Sequence, residues 1–370
     1  MPEMEKDTLN RAESAHTEAK ATATDTTPAD EKPAPAKKVI DPFRKLTVST
    51  SPHIKSAVTT RSIMIDVLIA LIPSFIWGVY VFGMRAFSIV VISVLASVGF
   101  EALYQVLMKK RITVSDCSAA VTGLLLGMNL PATVPLWLPI IGAFFAIVIV
   151  KQLYGGIGKN FMNPALAARA FLMLAWPTEM TTTPAPLTSS SAFAVSIDSA
   201  DIVASATPMQ LLKNGTIPDG GMFNFLLGSK AGTIGEVSTL LLIAGGIYLL
   251  VRRVISWHTP VAYIGTVALI AYLFPQNAAA RTEFVAYELI CGGLMLGAIF
   301  MATDYATTPI TAKGRLIFGV GCGCITMFIR YFGGYPEGIT FSILIMNTLV
   351  WYIDRLTRPK KFGGVSENGK

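Results

Sequence analysis

SIMIDVLIALIPSFIWGVYVF, residues 62–82, runs for 21 residues with a single charged side chain, Asp66. A helix rises about 1.5 Å per residue, so about 20 apolar residues match the hydrocarbon thickness of a bilayer. The stretch reads as a transmembrane helix, and the rest of the chain repeats the pattern. Further apolar runs lie near 86–108, 117–131, 134–150 and 161–176, then, after a polar interval, near 234–251, 259–275, 284–302, 315–332 and 338–354. The predicted fold is an all-α polytopic membrane protein of about ten transmembrane helices. Runs 117–131 and 161–176 are short for a perpendicular crossing and are expected as half-helices or re-entrant elements, which lipid tolerates only where protein or a cavity covers their backbone.

Composition agrees. The chain of 370 residues is 52% hydrophobic and 14% charged, with a mean hydropathy of +0.56, outside the range of ordinary soluble domains. A net charge of +7 could suggest nucleic acid, but Lys and Arg cluster between apolar runs, where the positive-inside bias accounts for them. No nucleic-acid partner is expected. Cys117, Cys291, Cys322 and Cys324 all lie in or beside apolar runs, and the CGC at 322–324 lacks zinc or redox-motif spacing, so they read as packing residues.

The tail, residues 1–42, mixes Ala, Thr, Glu, Lys and Pro with no hydrophobic period and is expected to stay disordered, without a cleaved signal peptide. Ten crossings from a cytoplasmic tail gather Lys109, Lys110, Arg111, Lys151, Lys159, Arg252, Arg253, Lys313, Arg315 and Arg355 on the inside. They leave Arg85, Lys213, Lys230, Arg281 and Arg330 outside. Both termini, including the tail at 355–370, are then cytoplasmic, and the 177–233 interval is extracytoplasmic. GLLLG at 123–127 and GLMLG at 293–297 each fall in the third run of their half. The offset of about 170 residues suggests two five-helix repeats, 43–176 and 234–354, and an odd number per repeat makes the second copy inverted.

Three stretches carry a resemblance: LTVSTSPHI at 46–54, GGIGKNFMNPALAARAF at 155–171 and MATDYATTPIT at 301–311. Together they resemble the family of the D subunit of the Rnf complex and, more distantly, of the B subunit of the sodium-pumping NADH:quinone oxidoreductase. The resemblance covers residues 43–358. It implies a flavin-carrying subunit of an ion-translocating ferredoxin:NAD+ oxidoreductase in the bacterial cytoplasmic membrane, inactive alone, with the A, B, C, E and G subunits as partners and Na+ or H+ as coupling ion.

The same resemblance gives the polar interval a role. Within DIVASATPMQLL, 201–212, the residues Asp201, Ser205, Ala206 and Thr207 match the motif at which a separate flavin transferase esterifies FMN to threonine, here Thr207. Ile202 and Ala204 depart from that motif, at positions usually held by glycine and a hydroxyl residue. Pro208 favours extended backbone at Thr207, and the segment is expected to be exposed, with its side chain outward. Read without the resemblance, it is an ordinary Ser/Thr loop. GGIGKN at 155–160 lacks the P-loop spacing; on the family reading it approaches a second, noncovalent flavin, riboflavin, with Asn160 and Asn163 as hydrogen-bonding partners.

Ionisable residues within spans are functional candidates by default. Glu101, Asp66 and Glu288 are the candidates for an ion path, with alternative expectations that Asp66 pairs with Arg61 and Glu101 with Arg169. Asp304 is expected to end its helix and position neighbouring backbone. No catalytic residue and no metal site is predicted; the sequence has no iron–sulfur cysteine pattern, nucleotide fingerprint or haem ligation, so electrons are expected to come from and leave to partner subunits. A small-solute channel or secondary transporter, or a scaffold without cofactor, would share the same helix pattern.

Overall fold

A computed structural model of the chain describes residues 58–186, 204–214, 216, 218, 221–228, 230–276 and 281–359. The tail 1–42, the LTVSTSPHI motif and Asp201 lie outside the described residues.

Each of the ten apolar runs contains helix. Helices α1 (Thr60–Phe82) and α2 (Met84–Leu107) meet at Gly83, whose φ of 79° turns the chain within a single residue. Thr59 starts α1 through a reciprocal capping box with Ser62. Helix α3 (Ser118–Met128) is followed by α4 (Leu138–Phe144), which continues as a π-helical stretch, Phe145–Gln152, and by α5 (Pro164–Ala175), capped by Asn163. A short helix, α6 (Pro177–Thr181), leads into β1 (Thr183–Pro184), which pairs antiparallel with β2 (Ala204–Ser205). Two further short helices follow, α7 (Pro208–Lys213) and α8 (Met222–Leu227).

The second half holds α9 (Thr239–Val251), α10 (His258–Leu273), α11 (Arg281–Ile290), α12 (Leu294–Leu296, continuing as π-helix Gly297–Met301), α13 (Ala312–Phe332) and α14 (Ile339–Thr357). By length and composition α1, α2, α13 and α14 can each cross a bilayer alone, and α11 with α12 forms a broken fifth span bent by 61°. The remaining apolar helices, α3, α4, α5, α9 and α10, are shorter. Two of them, α3 and α5, are the runs whose length suggested half-helices. Large apolar side chains stay exposed along the long helices, among them Ile69, Leu95, Val320 and Leu349. Such a surface needs lipid to cover it, and the protein is a multi-pass membrane protein.

Small residues set the helix crossings. A Cβ at Gly123 of α3 would lie 2.7 Å from the Val94 Cα of α2, and one at Gly323 of α13 would lie 2.6 Å from the Thr266 Cβ of α10. Ser93 Oγ, 2.8 Å from the Gly123 carbonyl, uses the close approach for a hydrogen bond between helices. In the CGC stretch Cys322 is buried and Cys324 exposed, on opposite sides of α13.

Candidate flavin and ion sites

Thr207 begins α7 with φ −68° and ψ 148°, the extended backbone that the following proline favours. Its Oγ1 accepts the Gln210 N–H at 3.3 Å, and Gln210 Oε1 accepts the Thr207 N–H at 3.1 Å, a reciprocal capping box. The expectation of an outward, exposed side chain is corrected: Thr207 is 7% exposed. The reason is legible in Thr-Pro-Met-Gln, a threonine three residues ahead of a glutamine, which makes the hydroxyl a helix cap and turns it inward. Ser205 lies in β2, paired opposite Thr183, and Ala206 is exposed.

Beside Thr207 opens a small pocket lined by Met173, Tyr335, Glu337, Phe341 and others. The Tyr335 and Phe341 rings sit 5.4 Å apart. These two aromatics and Glu337 were missed by the sequence reading, because they lie about 130 residues from Thr207 and only the fold brings them there.

A larger cavity lies where the two halves of the chain meet, with Val67, Ser118, Asn160, Asn163, Phe300 and Asp304 among its lining. The Gly155, Gly156 and Gly158 backbone has φ of 114°, 92° and 81°, a turn that side chains other than glycine would strain. Asn160 donates Nδ2 to the Met162 carbonyl at 3.1 Å. Asn163 is the N-cap of α5, accepting from the Ala165 and Leu166 amides at 3.0 and 3.3 Å, while its Nδ2 reaches the Met301 carbonyl at 3.3 Å. At the cavity edge Asp304 follows the last turn of the broken span and accepts from the Ala306 amide and the Thr307 hydroxyl, which shapes the connection as expected. Burial pushes the Asp304 carboxyl above the usual aspartate range, and those two hydrogen bonds oppose the rise.

The buried charges pair differently from the expectation. Asp66 bonds Arg252 and the Tyr248 hydroxyl, not Arg61. Residues 66 and 61 are five apart on one helix and so point away from each other, whereas α9 runs alongside. Glu101 pairs with Lys151 at 2.9 Å and accepts from Gln152 at 2.7 Å. Arg169 instead bonds Glu337 and, at 3.1 Å, Asn129 Oδ1. Lys151 is 3% exposed and belongs to the interior, not to the cytoplasmic cluster assigned to it. Glu288 bonds Arg330. All three predicted ion-path carboxylates are therefore held by a basic partner.

Among the described residues one buried carboxylate differs. Glu236 is 5% exposed and its Oε1 has no hydrogen-bond donor. Nothing in the sequence reading singled it out, because it stands at the start of an apolar run.

The family model described as the NQR2, RnfD, RnfE family matches residues 47–363. The chain is 48% identical over 324 residues to the D subunit of the Na(+)-translocating ferredoxin:NAD(+) oxidoreductase complex of Acetobacterium woodii, covering 86% of this chain and 95% of that protein. It is 40% identical over 326 residues to the D subunit of the proton-translocating ferredoxin:NAD(+) oxidoreductase complex of Clostridium ljungdahlii, covering 86% and 96%. The D subunit of an ion-translocating oxidoreductase complex of Stutzerimonas stutzeri is 38% identical over 324 residues, covering 81% and 91%.

Proposed function

The chain belongs to the NQR2, RnfD, RnfE family, and on that premise we propose that it is the flavin-carrying membrane subunit of an ion-translocating ferredoxin:NAD+ oxidoreductase complex. It passes electrons between partner subunits while the complex moves Na+ or H+. The A, B, C, E and G subunits are its partners, and a flavin transferase matures it.

The observation that carries the flavin reading is the setting of Thr207. Its oxygen caps α7 through a lone pair, so the O–H bond remains the place where a phosphoester forms. Tyr335 and Phe341 offer an aromatic wall in the adjoining pocket, against which a flat ring system can pack. Burial of Thr207 means that the transferase reaches it through that cavity or before α7 docks. A bound flavin supplies the one- and two-electron chemistry, and the chain's part is to anchor and orient it and to exclude water. The cavity between the two halves is where we place the second flavin, riboflavin, which has no phosphate and needs no cationic clamp. Asn160 and Asn163 are polar groups on its wall.

In this reading the chain crosses the membrane ten times as two inverted repeats, 43–176 and 234–354, with both termini cytoplasmic and 177–233 outside. The shorter helices and the broken span α11–α12 support it, since such repeats place discontinuous helices at their interface. The test is ultraviolet fluorescence of the denatured chain on a gel. The native sequence is expected to glow and Thr207→Ala to be dark at equal protein. A dark native chain from cells that make the transferase would leave the transporter reading in its place.

A further inference from the structure

The segment Lys230–Ser238 lies across the two halves. Its Ile234 and Gly235 amides donate to the Leu130 and Met128 carbonyls, at the end of α3, at 3.1 and 2.6 Å. The Ser74 hydroxyl of α1 reaches the Gly235 carbonyl at 3.4 Å. Thus pinned, the segment aims Glu236 at Gly293, which with Gly292 forms the break between α11 and α12, where φ is 70° and 71°. A Cβ at Gly293 would fall 2.5 Å from Glu236 Oε1. Thr233 stands beside the carboxylate, itself 2% exposed, with an Oγ1 off the geometry of any good hydrogen bond.

The charged and titratable groups facing Glu236 are Glu337, Arg169, Lys230 and Cys291. Arg169 is engaged by Glu337 and Asn129. Lys230 turns its ammonium to the Ile290 carbonyl, at 2.6 Å, and to the Thr239 hydroxyl, at 3.2 Å. Neither cation makes an ion pair with Glu236, whereas the other buried carboxylates, Asp66, Glu101 and Glu288, each have one. An unpaired carboxylate in a low-dielectric interior is expensive and is relieved by taking on a small cation. Helix breaks at a repeat interface are where membrane proteins build such sites.

We propose that Glu236 is a monovalent-cation site, taking up and releasing H+ or Na+ at the break between α11 and α12, with Thr233 as the second oxygen. One ion pair separates it from the Thr207 cavity: Glu337 lines that cavity and bonds Arg169, whose charge reaches Glu236. A charge change on the flavin side is thereby felt at the cation site.

Dicyclohexylcarbodiimide tests the proposal on the intact complex in its membranes. The protonated carboxyl adds across a C=N bond of the reagent, and the adduct rearranges to a stable N-acylurea with nothing released, so peptide mass mapping identifies the residue. Glu236 is expected to be labelled. If added Na+ at fixed pH suppresses labelling several-fold, the site takes Na+; if only rising pH suppresses it, the site takes H+. Absence of label on Glu236 across pH 5–8 without Na+ overturns the proposal. The labelling arm does not depend on the assigned function. A second arm does, and rests on the ion-translocating reading: in vesicles Glu236→Gln is expected to cut redox-driven ion uptake at least tenfold with flavin content unchanged, and Glu236→Asp to keep part of it. Unchanged uptake in Glu236→Gln also overturns it.

Discussion

Lys151 and Glu101 are 3% and 1% exposed and 2.9 Å apart, with Gln105, Gln152 and Ser118 completing the bonds around them. Such a pair gives little net stability, because desolvation offsets the attraction, but removing one member strands the other. Lys151→Met is expected to destabilise the chain by about 3–5 kcal/mol, seen as a lower melting temperature in detergent and poor recovery of the monodisperse peak. An unaltered melting temperature would contradict a charged interior pair. Glu101→Gln is expected to do the same, for a structural reason and not because an ion path is lost. The sequence marks Glu101 as buried but cannot name its partner, because pairing across helices depends on rotation about each axis. Lys151 misleads by standing at the end of an apolar run, where a cation usually reaches water. Thr207 was singled out as an acceptor only through the family resemblance, and its role as a helix cap, signalled by Gln210 three residues on, was missed in favour of an exposed side chain.

At the scale of the element, α2 and α3 cross through glycine. Val94 Cα and Ser93 O would lie 2.7 and 2.8 Å from a Cβ at Gly123, both backbone atoms that cannot swing aside. Gly123→Ala is therefore expected to push the helices apart and cost about 1–3 kcal/mol, read as a fall in melting temperature. Gly99→Ala, on α2 with nothing within 4 Å, is the control and should leave it unchanged. Equal effects would contradict close packing as the reason for Gly123. Helix existence was legible in all ten runs because apolar length is a strong signal. The interruptions were legible only in part: the Gly292–Gly293 break hides inside what reads as a continuous run at 284–302, since glycines are ordinary in membrane helices.

For the whole molecule, the proposed orientation rests on the distribution of basic residues; burial of Lys151 removes one cation from the inner side of that balance, and burial of Arg85, Lys230 and Arg330 removes three from the outer side. The remaining clusters keep the same sign. With the native cysteines replaced, Thr216→Cys is expected to react with an impermeant maleimide added outside intact cells, and Lys159→Cys to be protected; both positions are exposed. The reverse pattern would put the Thr207 segment in the cytoplasm. The central claim is that this membrane subunit carries its flavin covalently on Thr207. It is tested most directly by proteolysis and tandem mass spectrometry of the native chain purified from membranes of cells that make the transferase. The account predicts FMN, less one water, on the peptide holding Thr207, with fragment ions placing it on that residue. An unmodified Thr207 peptide, or flavin on any other residue, would contradict it.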